Sequence, residues 1–295
     1  MVKKVDISKL AARLNELNEH SNRDRNGSLN FLSIKDGRNV IRILPPTDNM
    51  ESFGEEVWVH YGVGKSEKNK RGSMVVCPTT HGEDNPCPVC EAVKELYALS
   101  LNRDDEYSKQ ARSLGRKRRI YYNAISRDED LSEYELREED GKKVWYNKKE
   151  GKQESPVKVL ATGIGVYKAI ISLIVDPEYG DVTDPEEGLD LIITKTGSGQ
   201  FNTNYDVKTV RKESPIGLDG WEAGLNDLKL LTKSKTYSEI AKILDGAHES
   251  HEDENGDLHE DVNSAMDSLP DKTPNESEAD LEAEIQAAIR RKQNK

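Results

Sequence analysis

All three cysteines of this chain fall in one short stretch, CPTTHGEDNPCPVC, as Cys77, Cys87 and Cys90. Two thiolates spaced C-x-x-C grip a single tetrahedral ion from a tight turn, and Pro86 and Pro88 stiffen that turn. An odd, clustered set of cysteines argues against a disulfide framework and for a metal site. Three sulfurs need one further donor to close a structural zinc shell, whereas a catalytic zinc keeps a position open. His81 lies inside the loop and His60 on the segment upstream. Spacing alone leaves either histidine as the fourth ligand. The expectation is one structural zinc ion on which the surrounding loop depends.

The formal net charge is -12 over 295 residues, which disfavours a polyanionic partner until the charge is located along the chain. Residues 246–284 hold fourteen Asp or Glu against one basic residue, Lys272, a net of -13. Residues 285–295 carry Arg290, Arg291, Lys292 and Lys295, a net of +4, so the body before residue 246 is near -3. The acidic stretch has almost no large apolar residues and cannot offset its ordering entropy, so disorder is expected. It reads as a solubilising tail, or as an arm that competes with nucleic acid for a basic groove or docks partner proteins. Its DENGDLHED segment is no calcium loop, because the glycine falls at the wrong offset and no Glu closes twelve residues. Beyond it, Leu281, Ile285, Ala288 and Ile289 fall at helical spacing and suggest a short terminal helix.

At the other end, Leu10, Leu14 and Leu17 share a helical face beside Lys3, Lys4, Lys9 and Arg13, and residues 18–28 read as a linker. The expected organisation is a basic amphipathic arm over 1–20 that docks onto its own core, a neighbouring copy or a membrane surface, a core over 21–245 with a metal subdomain at about 55–125, and an acidic tail over 246–295. Neither a membrane-length apolar run nor a signal-peptide pattern occurs, so a soluble, intracellular protein with no membrane partner is expected.

Within the core, strands are expected at 39–46, 55–63, 118–125 and 188–196, and helices at 88–100, 157–174, 221–231 and 237–244. Strands dominate the first half, with helices inserted between them. This mixed, β-rich pattern suits a small barrel with helical additions better than a regular βαβ succession.

Seven basic residues, Arg103, Lys109, Arg112, Arg116, Lys117, Arg118 and Arg119, are interleaved with Tyr107 and followed by Tyr121 and Tyr122. Cations that track phosphates and aromatic faces that stack on bases are what a sequence-tolerant single-strand binder needs. A second group, GSGQFNTNYD, places Phe201 and Tyr205 among Lys195, Lys208, Arg211 and Lys212. Nothing supports catalysis: TGIG and TGSG lack the lysine of a phosphate loop, and neither H-E-x-x-H nor G-x-S-x-G occurs.

These features together resemble the single-stranded DNA-binding, helix-destabilising proteins of T-even-type phages. The likeness runs over about residues 1–245 and is carried by VIRILP at 40–45, a histidine on the next strand, C-x3-HG-x4-CPVC, RKRRIYYNA at 116–124, and F-x-x-N-Y-D at 201–206. The resemblance implies a five-stranded OB-fold core with an inserted zinc subdomain, and cooperative coating of single strands during phage replication, recombination and repair. It implies self-association along the strand through the N-terminal arm, and replication and recombination partners on the acidic tail, in the infected host's cytoplasm. It places the histidine ligand at His60 in place of His81, the basic run at Arg116, Lys117, Arg118 and Arg119, and cleft aromatics at Tyr107, Tyr121, Phe201 and Tyr205. Tyr122 stands where the family has a tryptophan. The arm departs from the family's tighter basic cluster, and the chain ends KQNK where the family ends acidic. A zinc-containing adaptor working through the tail, or an RNA-binding translational repressor using the same cleft more weakly on RNA, are the competing readings.

Overall fold

The computed structural model of the chain describes residues 30–47, 50–66, 69–197 and 202–246. The N-terminal arm with Lys3, Lys4, Lys9 and Arg13, the residue Phe201, and the acidic tail beyond Gly246 with its terminal helix lie outside the described residues.

The fold is organised by one long strand, β5 (Lys117–Ser126), buried along nearly its whole length. Its alternation explains why. Ile120, Tyr122 and Ala124 enter a cluster with Ile41, Ile43, Leu160, Leu191 and Ile193. Tyr121 enters a second cluster on the opposite side, with Val57, Val59, Val159, Leu228 and Leu231. A strand covered on both faces reads as a continuous apolar run, which is how IYYNAI reads.

Along one edge β5 pairs first with β3 (Glu55–Val63), Tyr121 opposite Glu55, and then with β2 (Gly37–Ile43), Ala124 opposite Ile43. Its other edge pairs with β9 (Lys158–Gly163). The sheet extends through β1 (Phe31–Leu32) beyond β9, through β10 (Leu191–Thr196) and β11 (Asn204–Thr209) beyond β2, and through β4 (Ser73–Val76) beyond β3. All ladders are antiparallel except β1 with β9. Among the described residues no ladder joins the outer strands to each other, so the five-stranded OB-type barrel expected from sequence does not close, and the strands form a branched, open eight-stranded sheet. The mixed, β-rich character with helical additions is as expected.

Helix α1 (Pro88–Leu99) and helix α2 (Glu106–Leu114) follow β4, α3 (Ile164–Val175) follows β9, and α4 (Tyr237–Leu244) comes after β11. Asp105 caps α2 by accepting from Ser108 N, and a full capping box of Thr236 and Glu239 starts α4. The helix expected over 157–174 is split, its first part being β9. Val159, Leu160, Ala161 and Thr162 are buried between two neighbouring strands, and Gly163 marks the change to α3. The helix expected over 221–231 is two short 3₁₀ turns, Trp221–Gly224 and Leu228–Thr232.

A separate three-stranded sheet, β6 (Tyr134–Glu139), β7 (Lys142–Asn147) and β8 (Lys152–Gln153), packs against the Trp221–Gly224 turn. Its first hairpin turns at Asp140–Gly141, both with positive φ, as a two-residue turn between antiparallel strands requires. Gly54 is required for a different reason: a Cβ there would stand 2.7 Å from Ile120 Cγ2 and 2.8 Å from the Tyr122 ring. That close approach lets Phe53 stack on Tyr122, centroids 5.8 Å apart. Among the described residues no helix is long and apolar enough to cross a membrane.

Candidate metal centre and nucleic-acid face

Four donors converge where β3, β4 and α1 meet. His60 lies on β3, Cys77 directly follows β4, Cys87 caps the N-terminus of α1, and Cys90 lies in its first turn. Their ligand atoms all lie within 4.8 Å of one another. His60 Nε2 stands 3.5 Å from both Cys87 Sγ and Cys90 Sγ, and Cys77 Sγ stands 3.7 Å from Cys90 Sγ. Ligands of a tetrahedral zinc stand about 3.8 Å apart sulfur to sulfur and about 3.5 Å sulfur to nitrogen, from bond lengths of about 2.3 and 2.0–2.1 Å. The spacing and the donor set both fit. Hydrogen bonds with Cys87 and Cys90 lower the pKa of the Cys77 thiol, and the same contacts raise that of Cys90, so the neighbouring sulfurs share protons and favour one thiolate at Cys77.

The imidazole is oriented from behind. His60 is fully buried and its Nδ1 donates to Leu114 O at 2.7 Å, leaving Nε2 facing the sulfurs. His81, the alternative ligand, is exposed and stands apart from the cluster, with its Nε2 2.7 Å from Thr232 O. The structure thus brings together His60, Cys77, Cys87 and Cys90, and leaves His81 out.

The metal loop abuts the basic run. Arg116 Nη1 donates to Thr79 Oγ1 at 3.0 Å and Nη2 lies 3.9 Å from Glu83. Arg118 pairs with Glu56 at 3.4 Å. Both guanidiniums lie over the ring of Trp58, each 4.6 Å from its centroid. Arg119 is buried, with Nε donating to Tyr61 Oη at 3.1 Å and its guanidinium 5.3 Å from that ring's centre. Lys117 is half-buried, and burial followed by the nearby Arg119 charge pushes its pKa down to about 8. Trp58 and Tyr61 were missed from sequence. No signal in the sequence alone placed Trp58, since only the β3–β5 register makes it the ladder partner of Arg118.

The other expected contacts are dispersed. Tyr107, 48% exposed, and Arg112 lie on α2, with Arg112 Nη1 donating to Arg103 O at 2.6 Å. Tyr121 and Tyr122 are fully buried in opposite core clusters, which corrects their expected place in an open cleft. Tyr122 accepts from Thr162 Oγ1 at 3.1 Å, and burial, the largest cause, raises both phenols above their ordinary range. On the β10–β11 ladder, Lys195 is opposite Tyr205, and Lys195 pairs with Asp36 at 3.0 Å. Tyr205 is half-buried, and burial, with Asp36 adding to it, pushes it up to about 12. Lys208 is an odd number of residues from Tyr205 and projects from the opposite face, paired with Asp206 at 2.6 Å, while Arg211 is exposed beyond the strand. The Arg119 charge also reaches Tyr205, so the Tyr205 face of the β10–β11 ladder lies near the basic run.

A family model described as "gp32 DNA binding protein like" matches residues 35–248. The chain belongs to that family. It is also similar to the single-stranded DNA-binding protein of Enterobacteria phage T4, 28% identical over 231 residues, which is 73% of this chain and 65% of the phage protein. The match to the family model includes the metal cluster, the basic run and the β10–β11 ladder. The chain thus aligns with somewhat less than two thirds of that relative's length.

Proposed function

We propose that this chain is a non-catalytic protein that coats single-stranded DNA with little regard to sequence. The observation that carries the reading is the basic run at 116–119, held on the edge of the metal subdomain beside two partly exposed aromatics, Trp58 and Tyr61. Guanidiniums that track a phosphate backbone, held in place by aromatic rings and flanked by an exposed ring such as Tyr107 on which a base can stack, give sequence-tolerant affinity. Membership of a DNA-binding family and likeness to a phage single-stranded DNA-binding protein support the same substrate. The branched sheet is read as the partly open OB-type core of such a binder.

In this reading His60, Cys77, Cys87 and Cys90 hold one structural zinc, which fixes the loop that flanks the run. Tyr107, Arg112, Lys195, Phe201, Tyr205, Lys208 and Arg211 extend the contact along the strand. The arm over 1–20 links neighbouring copies through Lys3, Lys4, Lys9 and Arg13, and the acidic tail docks replication and recombination proteins. The protein then protects single strands during phage replication, recombination and repair.

The test is a salt-resolved titration of the full chain against long single strands, duplex DNA and RNA. The expected result is tightest binding to single-stranded DNA, with log affinity falling against log salt by about 0.7 per phosphate neutralised. Binding that ignores salt, or that favours duplex, sinks the proposal.

A further inference from the structure

Arg116 and Arg118 carry like charges and converge on one indole, an arrangement that repulsion alone would not maintain. The negative face of the Trp58 ring attracts both cations. Planar, weakly hydrated guanidiniums stack on such a face, and an ammonium cannot do so in the same way. The Trp58 backbone is itself pinned from the loop at Cys77–Cys90: its main-chain N–H donates to Thr80 Oγ1 at 2.9 Å, and its carbonyl accepts from Cys77 N at 2.7 Å. Its ring packs into the cluster that contains Cys77, Cys87 and Val89. Thr79, in the same loop, holds Arg116.

Of the two carboxylates that face the pair, Glu83 is the less firmly held, whereas Glu56 also accepts a hydrogen bond from Tyr167. The side chains of Glu83 and Glu56 are 85% and 43% exposed, against 35% and 20% for Arg116 and Arg118. Exposed carboxylates separate from a surface pair at little cost. The guanidiniums have the ring to hold them when the carboxylates leave.

We propose that Trp58 is the positioning residue of this face: its ring holds Arg116 and Arg118 as a clamp for two phosphates, with Glu56 and Glu83 as resident anions that the strand displaces. The proposal rests on the single-strand-binding reading above and adds how two of its contacts are made. It assigns Trp58 no catalytic part and no base contact.

The experiment measures anisotropy of a fluorescein-labelled oligothymidylate with the full, metal-loaded chain at several salt concentrations. Trp58→Leu is expected to weaken binding at low salt by about tenfold, the scale of two cation–π contacts. It is also expected to flatten the log–log salt slope by about 1.4, two phosphates at about 0.7 each. Trp58→Phe should retain most of both. The double variant Arg116→Lys with Arg118→Lys keeps the charge and loses the stack, so it should match Trp58→Leu, and the triple variant should add little. Unchanged binding in Trp58→Leu, a weaker affinity at an unchanged slope, or additive losses would each overturn the proposal. Melting temperature and zinc content report whether Trp58→Leu folds. If it does not, the lysine pair, on the surface, decides alone. Failure of the unaltered chain to bind the oligonucleotide at any salt would overturn the functional reading instead.

Discussion

The Nδ1 atom of His60 lies 2.7 Å from the carbonyl oxygen of Leu114, the last residue of α2. A helix-terminal carbonyl has no partner within its own helix, so the bond satisfies it and fixes the tautomer that turns Nε2 toward the three sulfurs. Arg116 follows Leu114 by two residues and β5 starts at Lys117. The His60–cysteine cluster and the basic run therefore share one short piece of backbone.

That connection predicts what metal removal does. Structural zinc supplies about 10–16 kcal/mol in small zinc peptides, and a larger domain with its own core loses part of that locally. Chelation is expected to lower the melting temperature and to weaken oligonucleotide binding together. Hydrogen exchange should speed first in the loop between Cys77 and Cys90, in α1, and in α4, whose Ile240 and Ile243 pack in the same cluster as Cys87. Unchanged melting after zinc loss is verified by elemental analysis counts against a structural metal.

The two histidines separate cleanly. Loss of a group that orients a ligand already costs about 10–100-fold in metal affinity, so His60→Ala, which removes the ligand itself, is expected to cost at least about 100-fold. His81→Ala should leave zinc affinity within about twofold and cost roughly 1 kcal/mol of stability through its bond to Thr232 O. A competition titration with a chromogenic chelator measures the first, and denaturant unfolding the second. Equal losses of metal affinity would return His81 to the shell.

Tyr121 tests whether burial or base stacking governs the middle of β5. Its hydroxyl is buried and has no hydrogen-bond partner among the described residues, and such a group costs about 1–3 kcal/mol. Tyr121→Phe is therefore expected to raise stability by about 1 kcal/mol while leaving oligonucleotide affinity unchanged. Tyr121→Ala should destabilise by about 3–5 kcal/mol through the cavity it leaves. Equilibrium unfolding paired with anisotropy reads both. Weaker binding by a well-folded Tyr121→Phe variant would put the ring back at the DNA.

These expectations show what could be read from the chain. The C-x-x-C with its upstream cysteine specified the metal cluster, because ligand chemistry is local and tolerates few alternatives. The choice of His60 needed the resemblance, since only the tertiary position of β3 puts that ring beside α1. The paired tyrosines misled for a physical reason: in a strand covered on both faces, polar-tipped aromatics sit in the core as readily as at a surface. The helix expected over 157–174 failed where a buried strand and a helix run on without a break in hydrophobicity. The Asp140–Gly141 hairpin went unread although its turn residues were plain. Trp58 was out of reach until the β3–β5 register placed it opposite Arg118.

Lys117 makes binding sensitive to pH above neutrality. Burial, aided by the Arg119 charge, lowers its pKa in the folded chain to about 8 from the ordinary 10.5. Folding thus disfavours its charged form: that cost is fully present below about pH 8 and is relieved as pH rises toward 10.5, so stability should climb across this window. Binding should run the other way. A phosphate beside Lys117 favours the ammonium and raises its pKa in the complex, so the strand takes up a proton when it binds above about pH 8. Affinity for oligothymidylate is expected to be flat from pH 6.5 to 7.5 and to fall by up to about tenfold per pH unit beyond the free-protein pKa. Lys117→Arg, whose charge persists across this range, should remove the fall. A wild-type profile that stays flat to pH 9.5, at constant salt and with the fold intact by circular dichroism, places Lys117 away from the phosphates.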